Sequence, residues 1–330
     1  MAAKKLKKPL NRPILTKTLL VWFRKSRRDL PWRKKREAYR VWISELMLQQ
    51  TQVATVIPYF ERWLEAFPTV QALAKAPLDS VLKQWEGLGY YRRARFLHQA
   101  AQMVDKDGFP DHYQGWLRLP GVGPYTAAAI SSIVNNEKVV AVDGNVKRVV
   151  SRLFAMPEVT EAIAREKLTP LIASQAGDFN EAMMELGATV CSPKNPKCPK
   201  CPIKNSCQAF LQDKVSEFPA IKPKTQLPHY KRYALVYTQH KNIVLHQRNH
   251  SEMLNGLWGF ILADTKPRGK SLAKVNHAYT HFRLTVTPIV VTTKPNQGQF
   301  IKWNDLDTLA LSKLDHKILE VLRRKGILLP

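Results

Sequence analysis

Residues 119–148 read LPGVGPYTAAAISSIVNNEKVVAVDGNVKR. The run Leu119–Gly123 carries too much glycine for a helix interior, and two glycines one residue apart allow a tight turn that another backbone can approach closely. From Tyr125 to Val134 the chain is rich in alanine and isoleucine and reads as a helix. Trp116–Leu119 ends another helix before the turn. The unit is therefore helix, glycine hairpin, helix. The free amides and positive dipole end of the second helix suit a phosphate. Asp143 follows about twenty residues on, just before Gly144–Arg148. Taken alone, Gly-Val-Gly is an ordinary turn and an Asp before a helix is an ordinary N-cap. Their spacing in a very basic chain gives them weight.

The chain has 330 residues, a length that suggests two domains. Its hydrophobic fraction of 45% is enough to build packed cores. Formal net charge is +26, from 52 basic and 26 acidic residues, and the excess runs through both halves. Such a balance favours a polyanionic partner over a general solubility device. No run of apolar residues is long enough for a transmembrane helix, so no membrane role is expected. The start MAAKKLKKPLNRP has no apolar segment followed by a small-residue cleavage site and reads as no secretory signal, which predicts an intracellular protein.

The segment before residue 215 reads as all-α. Helices are expected over Thr16–Lys25, over Val41–Thr51 (apolar nearly all round, with Glu45 inside it), and over Pro58–Phe67 with Pro58 in its first turn. Others are expected over Pro77–Trp85, Arg92–Val104 and Phe179–Val190, and from Val146 and Glu161. Gly87–Tyr91 must be a turn. Residues 218–228 hold three prolines among mostly polar neighbours and read as a linker. Beyond it, Tyr233–Thr238, Asn242–His246, Leu284–Val291 and Phe300–Trp303 are β-branched and aromatic at strand lengths, and Leu314–Arg323 closes the chain as a helix. The expected organisation is a basic flexible arm over 1–15, a helical domain over 16–217, the linker, and an α+β domain over 229–330.

All four cysteines fall between 191 and 207, as Cys191-x6-Cys198-x2-Cys201-x5-Cys207. None is left to staple a secreted fold, and clustered thiols in a basic chain indicate a metal site. Zinc sites usually present two close cysteine pairs, whereas here one x2 pair is flanked by single ligands. That pattern favours a [4Fe–4S] cluster, with zinc as the alternative. Lysines around the loop suggest that it meets phosphates and helps to position DNA.

Together, LPGVGPYT, VDGNVKR and this cysteine spacing resemble the helix-hairpin-helix DNA glycosylases that include endonuclease III. RDLPWR (28–33), SELMLQQTQVATVIPYFERW (44–63), GLGYYRRAR (87–95) and FNEAMMELGA (179–188) narrow the resemblance to the MutY family of adenine glycosylases. The likeness is close over residues 20–225 and looser over 229–330, which resembles the Nudix-like 8-oxoguanine-recognition domain of that family. It implies a monofunctional enzyme that acts as a monomer on double-stranded DNA carrying A:8-oxoguanine or A:G mispairs. Glu45 would be the acid that protonates adenine N7, and Asp143 the carboxylate that stabilises the sugar cation. Among Trp42, Ile43, Leu46 and Leu48, the Glu45 carboxyl is expected to hold its proton unusually well.

Further roles follow from the same resemblance. Tyr125 stands where lyase relatives carry a Schiff-base lysine, and a phenol cannot form that imine. Arg28, Trp32, Leu48 and Glu181 would line the adenine pocket. Gln50 and Tyr90 would wedge into the base stack, with Gln49 beside them. The hairpin amides at Val122, Gly123 and Tyr125 would hold a backbone phosphate, and Thr280 and His281 would meet the oxidised base. Gly256–Gly259 and His277–His281 are the matching points of the second domain, and the span between them is so short that a helix is expected to be shortened or missing. No run of spaced glutamates for Nudix hydrolysis is present. A lyase of the same fold and a non-catalytic DNA-binding module are the competing readings.

Overall fold

The computed structural model describes residues 11–220 and 226–327; the arm up to residue 10 and residues 221–225 of the linker lie outside the described residues. Among the described residues twelve α-helices precede the linker: α1 Arg12–Ser26, α2 Ala38–Leu48, α3 Val53–Ala66, α4 Val70–Lys75, α5 Leu78–Gln84, α6 Arg92–Asp107, α7 Tyr113–Leu117, α8 Pro124–Asn135, α9 Gly144–Phe154, α10 Glu161–Leu168, α11 Ala176–Thr189 and α12 Gln208–Leu211. The strands follow: β1 His229–Val236, β2 Thr238–Gln239, β3 Asn242–Gln247, β4 Trp258–Gly259, β5 Ile261–Ala263, β6 Lys270–Ser271, β7 Val275–Ala278, β8 Arg283–Val290 and β9 Gln299–Lys302. Helix α13, Lys313–Arg324, comes last. The helical first part and α+β second part are as expected. By compactness the chain forms two units, 1–61 with 100–223 and 62–99 with 224–330.

In the first unit α11 is the central element. It packs against α1, α8 and α9. Two glycines let it come that close. A Cβ at Gly177 would stand 2.7 Å from the Ser132 carbonyl oxygen on α8, and one at Gly187 would stand 2.7 Å from Asn145 Cβ on α9. Leu15, Leu19 and Phe23 of α1, Val146, Val149 and Val150 of α9, and Phe179, Met183 and Leu186 of α11 share the core. Apolar residues at three- and four-residue spacing on each helix make this burial possible.

Helices α1, α2, α3 and α11 each begin three to five residues before the expected position. Helix α1 begins at Arg12, because the Asn11 side chain accepts a hydrogen bond from Ile14 N at 3.2 Å and Pro13 fits the first turn. Helix α3 begins at Val53, which places Pro58 inside it. The proline forgoes a backbone bond there; complete burial of Val56, Phe60 and Trp63 on one face offsets the loss.

In the second unit, β1 runs parallel to β8 from His229 opposite Arg283 to Val236 opposite Val290. Strand β5 flanks β1, and β6 and β7 both pair antiparallel with β8. A second sheet has β3 between β2 and β4, with β9 also on β3. Leu314, Ile318, Leu319 and Leu322 of α13 pack with Ala234, Val286 and Phe260. Between Phe260 and Asn276 there are only short strands and loops, so the helix expected to be shortened is absent among the described residues.

A buried polar knot fixes α13. Asp315 accepts from Arg248 Nη2 at 3.0 Å through both oxygens and from Phe260 N at 3.0 Å, and it closes the capping box with Ser312. Gly259 must be glycine, since its Cβ would stand 2.1 Å from Arg248 Nη2. Gly259→Ala is therefore expected to lower stability by about 1–3 kcal/mol through overpacking, read as a drop in the urea midpoint with an unchanged slope.

Candidate active site

A cleft of about 840 Å³ opens in the first unit, a size suited to a small ligand. Glu45 enters from α2, Tyr125 from the first turn of α8, and Asp143 from the start of α9; all three line it. The fold therefore brings into one cleft side chains that lie up to about a hundred positions apart.

Glu45 is only 6% exposed. Tyr125 donates its hydroxyl hydrogen to Glu45 Oε2 at 2.8 Å and also contacts Met184 Sδ at 3.1 Å. Burial pushes the Glu45 carboxyl up to about 7; the Tyr125 hydrogen bond opposes this, Glu181 and Asp143 add to it, and Arg33 offsets part. The Tyr125 phenol is pushed well above its ordinary value by burial and by the carboxylates of Glu45 and Asp143, so it stays protonated and donates to Glu45. Asp143 is a true N-cap. Its Oδ1 accepts from Val146 N at 2.7 Å and its Oδ2 from Asn145 Nδ2 at 2.7 Å. Capping and lining the cleft are compatible, because the cap fixes the direction of the carboxylate.

An arginine–carboxylate network also lines the cleft. Glu185 is fully buried and accepts from Arg28 Nε at 2.7 Å, Arg28 Nη2 at 3.0 Å and Arg33 Nη2 at 2.9 Å. Arg33 Nε donates to Glu181 Oε1 at 2.9 Å, and Arg36 bridges Glu181 and Asp178. Arg28, Trp32, Leu48 and Glu181, the expected pocket residues, all line the cleft. Sequence reading passed over Arg33, Arg36, Asp178, Met184 and Glu185. The spacing of Glu181 and Glu185 on one helix face is the signal that could have found the last.

Gln49 and Gln50 also line the cleft. Gln49 Nε2 donates to Thr126 Oγ1 at 3.1 Å, and exposed Gln50 has φ 57. At the hairpin, Val122 N donates to Leu119 O at 3.1 Å, which closes the turn. Its amide is thus already engaged, and Gly123 and Tyr125 carry the amides at the open helix start. In the second unit Tyr90 is 40% exposed with φ 49, and its hydroxyl meets that of Thr280. Thr280 and His281 are exposed in the turn between β7 and β8.

Cys191, Cys198, Cys201 and Cys207 line one small cavity with Arg152, Val190 and Phe210. Burial pushes Cys201 up to about 12 and Cys207 up to about 11. Four converging thiols in apolar surroundings fit a soft cationic centre, which would reverse that preference for the protonated form. Among the described residues no group of three His, Cys, Asp or Glu side chains is placed to hold a single metal ion.

Residues 43–173 match the model of the HhH-GPD superfamily base excision DNA repair protein, and residues 232–321 match the NUDIX domain. An adenine DNA glycosylase of Buchnera aphidicola (subspecies Schizaphis graminum) is 32% identical over 343 residues, covering 94% of this chain and 99% of the relative. The chain belongs to the adenine DNA glycosylases. The adenine DNA glycosylase of Homo sapiens is 44% identical over 210 residues, covering 58% of this chain and 38% of the relative. Among solved structures, a thermostable thymine-DNA glycosylase has a TM-score of 0.57 at 28% identity, covering 61% of this chain and 97% of its own. A trapped endonuclease III–DNA covalent intermediate has a TM-score of 0.53 at 24% identity, covering 61% and 96%, and shows the shared fold. The protein is thus a DNA N-glycosylase of base excision repair with a Nudix-like second domain. Among the described residues no helix is long and apolar enough to cross a membrane.

The network makes a stability prediction. Burial favours the neutral form of Glu185, but hydrogen bonds from Arg28 and the charge of Arg33 outweigh it and hold the carboxyl below its ordinary value. Its contribution is therefore present in full above the ordinary carboxylate range and lost as pH falls below that range, through the lowered value the fold imposes. Glu185→Ala, which strands Arg33 in the wall, is expected to cost about 3–5 kcal/mol in urea unfolding at pH 7, with the difference from wild type shrinking toward pH 4.

Proposed function

We propose that this glycosylase removes adenine mispaired with 8-oxoguanine or guanine in duplex DNA, as a monomer and without lyase activity. The observation that carries the reading is the buried Glu45 carboxyl, bonded to Tyr125 at 2.8 Å in the cleft that Asp143 also lines. A neutral adenine leaves poorly as an anion, so a proton must reach N7 as the C–N bond breaks. Glu45, held near neutrality by burial, is the donor. The deoxyribose left behind is an oxocarbenium cation. Asp143, oriented by its cap bonds, supplies the opposing negative charge, and water adds to complete hydrolysis. Tyr125 holds the Glu45 carboxyl and gives no amine for an imine.

Arg28, Trp32, Leu48 and Glu181 enclose the flipped base. Gln50, with Gln49 beside it, and Tyr90 fill the gap in the stack, and their left-handed backbone at Gln50 and Tyr90 projects side chains from tight turns. The amides of Gly123 and Tyr125 bind a backbone phosphate. Thr280 and His281 read the oxidised base opposite.

Cys191, Cys198, Cys201 and Cys207 would hold a [4Fe–4S] cluster as thiolates, and that cluster would tie the loop together. Around it, exposed Lys194, Lys197 and Lys200 face solvent where phosphates pass. The loop thus positions DNA.

Excision of adenine from an A:8-oxoguanine duplex, with strand breaks only after alkaline workup, tests the whole reading; thymine-glycol cleavage, or binding without excision, would replace it. Asp143→Asn is expected to keep duplex binding and lose roughly 2.7–4 kcal/mol of transition-state stabilisation, about a hundredfold or more in single-turnover rate. Because the Glu45 carboxyl is pushed up to about 7, its acid form is present below that pH and lost above it, so the single-turnover rate should fall as pH rises through about 7. Glu45→Gln should flatten that limb at a much lower rate. Purified protein should be brown, and Cys198→Ala should lose both the broad visible absorption and thermal stability; a colourless wild-type protein holding zinc would displace the cluster assignment.

A further inference from the structure

The turn Gly87–Tyr91 carries Tyr90, and its neighbours hold it with unusual completeness. Gly87 has φ 92 and Gly89 φ 75, so two glycines take the left-handed backbone that the turn requires. Trp85 Nε1 donates to Gly89 O at 3.1 Å, and Gly87 N donates to Tyr91 Oη at 3.0 Å. Arg93, only 8% exposed, sits behind the turn. Its Nη2 donates to Gly89 O at 3.1 Å and to Leu88 O at 3.4 Å. The same guanidinium lies 5.2 Å from the Trp85 ring centroid and 5.5 Å from that of Tyr90.

We infer that Arg93 is a positioning residue for DNA engagement: by bonding the turn carbonyls and lying over the Tyr90 ring, it fixes the pose in which Tyr90 enters the base stack. The inference rests on the proposed reading of Tyr90 as a wedge. Its physical basis is the cost of ordering. An exposed tyrosine on a flexible turn would lose rotamer and backbone freedom on inserting, and a ring already held does not. The guanidinium suits the task because it is planar, can stack and donate at once, and stays charged. Burial pulls Arg93 down only to about 10, so its charge persists at neutral pH. A lysine would keep the charge but lose the fork that reaches carbonyl and ring together.

The test is a double-mutant cycle on the full chain, read by single-turnover excision from an A:8-oxoguanine duplex and by the fluorescence of 2-aminopurine in place of the target adenine. Tyr90→Ala and Arg93→Met should each reduce excision roughly tenfold, the scale of a desolvated cation–π contact, and each should weaken the flipping signal. In the Tyr90→Ala background, Arg93→Met should then cost almost nothing more. If Arg93→Met costs as much with Tyr90 absent as with it present, or costs nothing with it present, Arg93 does not act through Tyr90 and the inference falls while the wedge stands. If Tyr90→Ala excises and flips normally, the wedge reading itself falls and takes the inference with it. Should Arg93→Met unfold, Arg93→Lys, which retains the buried charge, is read through the same cycle.

Discussion

A carboxylic acid that keeps its proton near neutral pH is the constraint on which the first unit depends. Glu45 lies on a helix whose other side chains are almost all apolar, and that surrounding makes ionisation costly. Left alone, such a group would be an unsatisfied polar atom in the core. The Tyr125 hydroxyl answers it at 2.8 Å, and the hairpin turn places Tyr125 at the right height on α8. The glycine turn is thus part of the acid's environment as well as an open helix start for a phosphate.

The counterpart is the anion at 143. Its direction comes from backbone geometry, because capping α9 occupies both of its oxygens within the same turn. The place of that turn is set in turn by α11, whose Gly187 allows contact with Asn145. One helix therefore supplies the close packing behind Asp143 and, through Glu181 and Glu185, the carboxylates that hold the arginines of the same cleft. Charge is balanced there: Arg33 is shared between two carboxylates, so its residual field on Glu45 is modest and burial dominates.

The second unit shows the same economy in another form. Asp315 caps its own helix, pairs with Arg248 and receives the Phe260 amide, so one buried carboxylate joins α13 to the end of β3 and to the link between β4 and β5. That knot leaves the turn after β7 at the surface, with Thr280 and His281 free of the core.

Much of this was legible in the chain itself. Helical patterning up to the linker, the β-branched and aromatic runs beyond it, the hairpin glycines, the acid among apolar residues and the cysteine spacing are local patterns, and local patterns survive in sequence. The short strands β4 to β7 left no such trace, since two to four residues hold too little alternation to register. Pro58 was misplaced because its helix is held by burial of distant partners that outweighs a local propensity. The engagement of the Val122 amide with Leu119, the Tyr125–Glu45 bond and the sharing of Arg28 and Arg33 by Glu185 also lay beyond reach. The sequence determined which chemistry was available; only tertiary packing decided which groups meet, because hydrogen bonds and desolvation depend on ångström distances between positions far apart along the chain.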